Sequence, residues 1–427
     1  MNRVGLSCAI GLMSSPIALA AEPSRVELRQ DPAGTWQLLR NGTPYTIRGA
    51  GGFTQLKRLR ELGGTTIRTW SLDQLGPTDS GIPLLDECAE LGLTALVGLW
   101  VNQPRHGFDY GDEAMLQAQR TRIRDAVRKY RDHPALLIWG LGNEMEGNGQ
   151  DERVWRELEV LARIIKSEDP HHPVCSVLAG TGDGKVRALQ RYFTSLDILG
   201  INIYSGAEKV DAELAAQGWD RPFLLAEFGP SGHWEVPATP WNAPIEPTPA
   251  EKAQSYARSY HGAMQEGRNL CLGAFAFLWG QKQETTATWY GMFLPTGEKT
   301  PVVDAMAQAW NGGEIPSNRS PVIHSLQADF RERSAPPRTV QTVTVGVTDV
   351  ENDALTFDWQ VVAESTDRKE GGDPEAAPPE ILNCVLHGDG PTATIRLPAQ
   401  PGAYRVFVYI RDGQGDGASA NFPFLVE

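Results

Sequence analysis

Two glutamates close apolar runs in this chain and could share one piece of chemistry. The stretch "LLIWGLGNEME" (136–146) is apolar and small until it ends in Asn143, Glu144 and Glu146. The stretch "FLLAEFGPSG" (223–232) places Glu227 at the end of a similar run, 83 residues further on. That separation is too long for pairing along one helix, so only the fold can bring the two carboxyl groups together. Two carboxyl groups facing each other about 5–5.5 Å apart cleave a glycosidic bond by double displacement; a wider gap leaves room for a water and inverts the product.

The elements that must position them alternate regularly. Apolar, strand-like runs at 45–50, 65–70, 93–101, 134–143, about 172–180, 196–204, 221–229 and 271–280 are each followed by a segment with helical spacing of its leucines, alanines and valines. The runs are continuous rather than alternating, which fits parallel strands buried on both faces. Eight such units over this length predict a (β/α)8 TIM barrel, whose working residues sit at the C-terminal ends of the strands. Glu144 would end the fourth strand and Glu227 the seventh. A doubly wound open sheet is the competing fold. It favours a glycine-rich phosphate turn after an early strand, which "IRGAGGF" (47–53) matches poorly. An Asn41-Gly42 turn marks a hairpin before the first barrel strand. The connections at about 228–249 and 280–300 are long and carry Trp234, Trp241 and Trp289.

Beyond a polar linker the pattern changes to short strands of alternating polarity parted by Gly, Pro and Asp turns, without helices. This predicts a small all-β sandwich of immunoglobulin or fibronectin type, with 365–380 as a flexible polar loop. The resulting division is a signal peptide at 1–21, the barrel with its hairpin at 22–312, a linker at 313–320 and the sandwich at 321–427. The first segment has Arg3, an apolar stretch and the small-residue motif Ala18-Leu19-Ala20. It reads as an export signal, which implies a periplasmic or secreted protein.

In order and strand placement, "IWGLGNE" and "LLAEFG" resemble the catalytic barrel of glycoside hydrolase family 2 and its clan A relatives, family 5 among them. "NGTPYTIRGAGG" resembles the start of the family 2 barrel and "GGTTIRTW" its second strand. The resemblance covers about residues 35–310. It implies Glu144 as acid/base and Glu227 as nucleophile. It also implies Arg68 beside the nucleophile, Asn143 on the sugar 2-hydroxyl, Tyr204 as a donor to Glu227, and Trp279 as the platform under the sugar. The domains that precede the barrel in large family 2 enzymes are not found in this chain. An acid at Glu144 should have a raised pKa, and Glu227 beside Arg68 should stay ionised.

Residue types at the mouth add further candidates. His106, Asp109 and Tyr110 in "RHGFDYGD" could line a sugar subsite or cap the next helix, and Lys282 and Glu284 could make contacts. Trp100, Trp234 and Trp289 could stack on sugars or simply pack. Glu146, past the strand end, reads as solvated loop. In the sandwich, Asp349, Glu351 and Asp353 offer oxygen ligands, but acidic turns are common and no EF-hand pattern is present, so no metal is expected. No cofactor is expected either. The cysteines lie in apolar runs without metal-ligand spacing.

The net charge of −14 excludes the basic face of a nucleic-acid binder, and no stretch after the signal is long and apolar enough for membrane insertion. The expectation is a retaining β-glycosidase acting on a carbohydrate, a β-glucan or its oligosaccharides first. A transglycosylase using the same residues is an alternative. A non-catalytic carbohydrate-binding envelope protein is another, disfavoured because both carboxylates are present. Oligomeric state is not legible.

Overall fold

The computed structural model describes residues 22–32, 34–182, 184–265, 270–314 and 316–427. The segment read as an export signal lies outside them. Strands β1 (Val26–Gln30), β2 (Trp36–Arg40) and β3 (Thr43–Pro44) form an antiparallel sheet. Its second turn is the expected Asn41-Gly42 pair, both with positive φ, which matches the twist of the strands it joins.

Eight parallel strands then close a barrel. They are β4 (Ile47–Gly51), β5 (Thr66–Arg68), β6 (Thr94–Leu99), β7 (Leu136–Asn143), β8 (Val174–Ala179), β9 (Ile198–Asn202), β10 (Phe223–Phe228) and β11 (Cys271–Phe277). β11 pairs with β4 to complete the ring. Every residue of β6 and β7 is buried, which explains why all of them but Thr94 and Asn143 are apolar. Helices α1 (Leu56–Glu61), α2 (Leu84–Glu90), α3 (Glu113–Tyr130), α4 (Glu152–Glu168), α5 (Lys185–Tyr192), α6 (Val210–Ala216), α7 (Pro249–Gln265) and α8 (Pro301–Trp310) follow the strands in turn. In α4 the buried Val154, Trp155, Leu158, Leu161, Ala162 and Ile165 recur at helical spacing. Its N-cap Asp151 accepts the Arg153 N–H. At the opposite end from the mouth, Ser24, His172 and Asp169 form a hydrogen-bonded chain that looks like a nucleophilic triad. All three side chains are buried and the Ser24 hydroxyl donates to the Leu136 carbonyl, so the chain seals the barrel floor.

The C-terminal region is two packed four-stranded sheets. One has the order β12 (Val322–Gln327), β14 (Val340–Thr348), β17 (Thr392–Arg396), β16 (Val385–His387). The other runs β13 (Ser334–Ala335), β19 (Gly417–Val426), β18 (Gly402–Arg411), β15 (Thr356–Ala363). Clean alternation was expected here and fails in β18, where Tyr404 to Ile410 are all buried. One face of this strand fills the sandwich core, and Phe407 and Tyr409 on the other pack on Leu294 of the barrel. Polar clamps hold the same interface. Arg405 is paired with Glu364 at 2.8 Å and donates to the Pro244 carbonyl at 2.9 Å, and Lys299 meets Asp416 at 2.7 Å. Asn318 of the polar linker donates to Asp412 and Asp416. The segment at 365–380, expected as a flexible loop, instead lies against the barrel mouth, where Asp373 meets Arg105 and His106.

Candidate active site

Arg68 ends β5, is only 2% exposed and points across the barrel. A buried guanidinium cannot lose its proton, so every group it touches must accept. Its Nη1 donates to Glu227 Oε1 at 3.0 Å, to Asn202 Oδ1 at 3.2 Å and to the Ala226 carbonyl at 2.6 Å. Its Nη2 donates to Asn143 Oδ1 at 2.6 Å. These contacts fix which end of each amide is oxygen. Asn202 must therefore turn its Nδ2 toward Glu144 Oε1, at 2.7 Å, and Asn143 Oδ1, at 3.1 Å. Asn143, with its oxygen taken twice and its carbonyl held by Gln103, keeps its Nδ2 for the cavity that it lines.

Glu227 lies within β10 and accepts from three donors. Beside Arg68 these are the Trp70 indole at 2.9 Å, also on Oε1, and the Tyr204 hydroxyl at 2.8 Å on Oε2. Burial, and Glu227 next to it, hold the Tyr204 phenol well above its usual range, so it remains a donor. Trp70 also lies 5.1 Å from the Arg68 guanidinium, a cation–π contact.

Glu144 is the first residue past β7 and has φ +51°, a conformation uncommon for a side-chain-bearing residue. Its N–H is fixed on the Val177 carbonyl at 2.9 Å. Among the described residues the one protein hydrogen bond to its carboxyl group is from Asn202 to Oε1, which leaves Oε2 to the cavity. Burial first, and the nearby Glu227 second, raise its pKa to about 7, against the opposing Asn202 hydrogen bond. Both carboxyl groups, Asn143, Asn202, Trp70 and Tyr204 line one cavity of about 1280 Å³. Small-ligand sites usually occupy about 300–1,000 Å³, so this one has room for an extended ligand.

The structure thus brings together Glu144, Glu227, Arg68, Asn143 and Tyr204. Of the other candidates, Trp100, Trp234, Lys282 and Glu284 line the cavity, and Trp234 is 61% exposed there. Four expectations need correction. Trp279 is fully buried, because β11 ends earlier, at Phe277. Its indole donates to the Thr54 carbonyl and its ring packs on Phe293 and Trp310, so Phe277 and Leu278 face the cavity instead. Trp289 is also fully buried, its indole donating to the Ser231 carbonyl. His106 stands outside the lining, stacked on Trp100 and 3.0 Å from Asp373. Its neighbour Tyr110 donates to the Asn102 carbonyl, while Asp112 caps α3. Glu146 is not solvated: it is buried, accepts the Ala179 N–H and pairs with Lys185 at 3.3 Å.

Trp70 and Asn202 were not anticipated. Each is displaced by two residues from one that was, Arg68 and Tyr204, and same-side spacing along a strand end was the available signal. In the sandwich, Asp349, Asp353 and Asp412 form the one cluster of carboxylates with metal-like spacing among the described residues. Glu351 is drawn to Arg319 instead.

The raised Glu144 pKa has a stability consequence. A group whose pKa is higher folded than unfolded favours the folded state below its unfolded pKa, and that contribution is lost as pH rises to the folded value. Between the ordinary value of 4.5 and about 7 the folded protein therefore loses stability on Glu144's account. Glu144→Gln should be more stable than the parent at pH 8, by on the order of 3 kcal/mol. The gain should shrink toward zero near pH 4. Denaturant titrations across this range check it, and a pH-independent difference would contradict it.

Comparison with known proteins agrees with this geometry. Residues 77–232 match the model of glycosyl hydrolases family 2, TIM barrel domain. A probable mannan endo-1,4-beta-mannosidase A-2 of Aspergillus terreus is 38% identical over 74 residues, 17% of this chain and 19% of that protein. A beta-galactosidase of Klebsiella pneumoniae is 38% identical over 63 residues, 15% of this chain and 5% of that protein. The chain thus matches only a small part of these curated relatives. Among solved structures, Bacteroides uniformis beta-glucuronidase 2 superposes with a TM-score of 0.52 at 16% identity, covering 94% of this chain and 48% of that one, a likeness of fold. The matched stretch contains Glu144 and Glu227, and over it the barrel resembles the glycosyl hydrolase family 2 TIM barrel domain.

Proposed function

We propose that this protein is a retaining β-glycosidase. The observation that carries the reading is the unequal treatment of two carboxyl groups in one cavity. Glu227 is surrounded by three donors, one of them a cation, while Glu144 has a single donor and a pKa raised to about 7. In the first step the Glu227 carboxylate attacks the anomeric carbon. The Glu144 proton, on the oxygen facing the cavity, passes to the glycosidic oxygen, and the alcohol leaves. In the second step the Glu144 carboxylate takes a proton from water as that water attacks the same carbon and frees Glu227. Two inversions give net retention. Asn143 Nδ2 is oriented to donate to a sugar hydroxyl throughout.

The substrate that fits best is a neutral β-linked glycan, with β-glucan oligosaccharides the first to assay. Besides the two central glutamates, the cavity wall carries Asp73, Glu235, Glu284, Glu370 and Asp373, against the cations Arg122, Lys282 and Lys369. Those three are engaged by the Trp100 carbonyl, by Glu284 and by Asp367. A uronic acid would meet a wall with more carboxylates than cations. Export to the periplasm or medium is part of the same reading, supported by the N-terminal sequence and tested by fractionation.

The test is hydrolysis of a panel of β-linked oligosaccharides, followed by NMR of the first-formed anomer. The β-anomer is expected; the α-anomer would mean inversion. The parent's kcat/KM should fall as pH rises through about 7, where Glu144 loses its proton. Glu144→Gln should lower the rate by about 10²–10⁴-fold and abolish this basic limb. Survival of the limb would assign the acid elsewhere.

Transfer to a sugar acceptor in place of water is favoured by one feature. Trp234 presents an exposed indole in the cavity, braced edge-on by Tyr204 and His233. A sugar stacked there would raise its own effective concentration at the intermediate. At high substrate concentration some products should exceed the input in length, and Trp234→Ala should shift them toward shorter ones. An unchanged product ladder would show that the indole does not hold the acceptor.

A further inference from the structure

The segment at 367–375 belongs to the sandwich by sequence but to the cavity by position. Lys369, Glu370, Gly371, Gly372, Asp373 and Pro374 all line the cavity that holds Glu144 and Glu227. The segment is closed on itself: Glu375 Oε1 accepts the Lys369 N–H at 3.0 Å, and Asp367 Oδ2 accepts the Ala376 N–H at 2.9 Å. It is also tied to two separate barrel loops. Asp373 bridges Arg105 at 3.3 Å and His106 at 3.0 Å, on the loop after β6. The Gly372 carbonyl accepts from Lys282 at 2.7 Å, and Glu375 Oε2 accepts the Thr285 N–H at 2.6 Å, both on the loop after β11. Gly371 has φ +60°, a conformation that favours glycine, and a Cβ there would displace the end of the Arg105 side chain. Behind the segment, Arg405 and the Phe407–Tyr409 face fix the sandwich on the barrel.

We infer that the sandwich domain is part of the substrate site, with 367–375 as a wall that binds the glycan beyond the sugar whose bond is broken. This rests on the glycosidase reading. The ligand is a neutral, hydroxyl-rich chain. The Glu370 carboxylate has no protein partner among the described residues and can accept from sugar hydroxyls, while repelling an anionic glycan. Asp373 and Arg105 are positioning residues: they hold the wall against the mouth and act through it.

The test uses the full chain and two neutral substrates of the cleaved sugar, an aryl β-glycoside with one sugar and a tetrasaccharide. Asp373→Ala and Arg105→Ala should each lower kcat/KM on the tetrasaccharide, mainly through KM, about tenfold more than on the aryl glycoside. Tenfold is the order expected from the loss of one or two ligand hydrogen bonds. The double variant should be no worse than the worse single one, because both break the same contact. A merely structural role would lower both substrates equally, and that result, or no change in either, overturns the inference. Thermal melts confirm that the variants fold. Equilibrium binding of the tetrasaccharide to the Glu227→Gln protein, with and without Asp373→Ala, needs no turnover. About tenfold weaker binding there, with a parent that cleaves nothing, would sink the glycosidase reading and leave the wall standing; unchanged binding would sink the wall.

Discussion

A buried guanidinium sets the terms for the rest of the site. Arg68 is shielded from water at the end of β5, and a guanidinium has only hydrogen-bond donors to offer. A buried cation without partners would cost several kcal/mol. Its partners here are Glu227, the Ala226 carbonyl and the oxygens of Asn143 and Asn202. Because all must be acceptors, both amide side chains are locked with their nitrogens turned outward. One nitrogen holds Glu144 and the other is left to the cavity. One charge, placed by one strand, thereby orders four residues drawn from three other strands.

The same barrel mouth treats its two carboxyl groups oppositely, and the difference follows from position on the strand. Glu227 sits within β10, where Arg68 reaches it across the barrel and Trp70 and Tyr204 reach it from just past β5 and β9. Glu144 sits one residue past β7, on backbone in the left-handed region, and few donors reach it. Burial without compensation raises a carboxyl pKa. The proposed acid and nucleophile would need such an asymmetry. The sandwich docks on the barrel through the loops that follow β10 and β11, which places its 367–375 segment over the same mouth.

Much of this was legible in the sequence because parallel strands advertise themselves. Long apolar runs mark burial on both faces, and a carboxylate or cation at the end of such a run must face the mouth. That logic reached Glu144, Glu227, Arg68, Asn143 and Tyr204. It failed for Trp279 and Trp289, since a tryptophan near a strand end satisfies its indole N–H on any nearby carbonyl. Composition does not say whether the ring faces ligand or core. It failed for Glu146, whose partner Lys185 lies on another unit of the barrel. The alternation expected for β18 and the loop expected at 365–380 failed for one reason. Both are shaped by a contact between domains, and no local pattern encodes what lies across an interface.

The central claim is that Glu227, ordered by Arg68, forms the covalent bond to the sugar. The most direct test is to trap that bond. Incubation with 2-deoxy-2-fluoro β-glycosides bearing a good leaving group, in gluco, manno and galacto forms, should inactivate the enzyme with one sugar bound per chain. Peptide mass spectrometry should place that sugar on Glu227, and the adduct should form far more slowly in Arg68→Ala. A sugar attached to Glu144, or turnover of a cleavable substrate with no adduct from any of the three, would contradict the account.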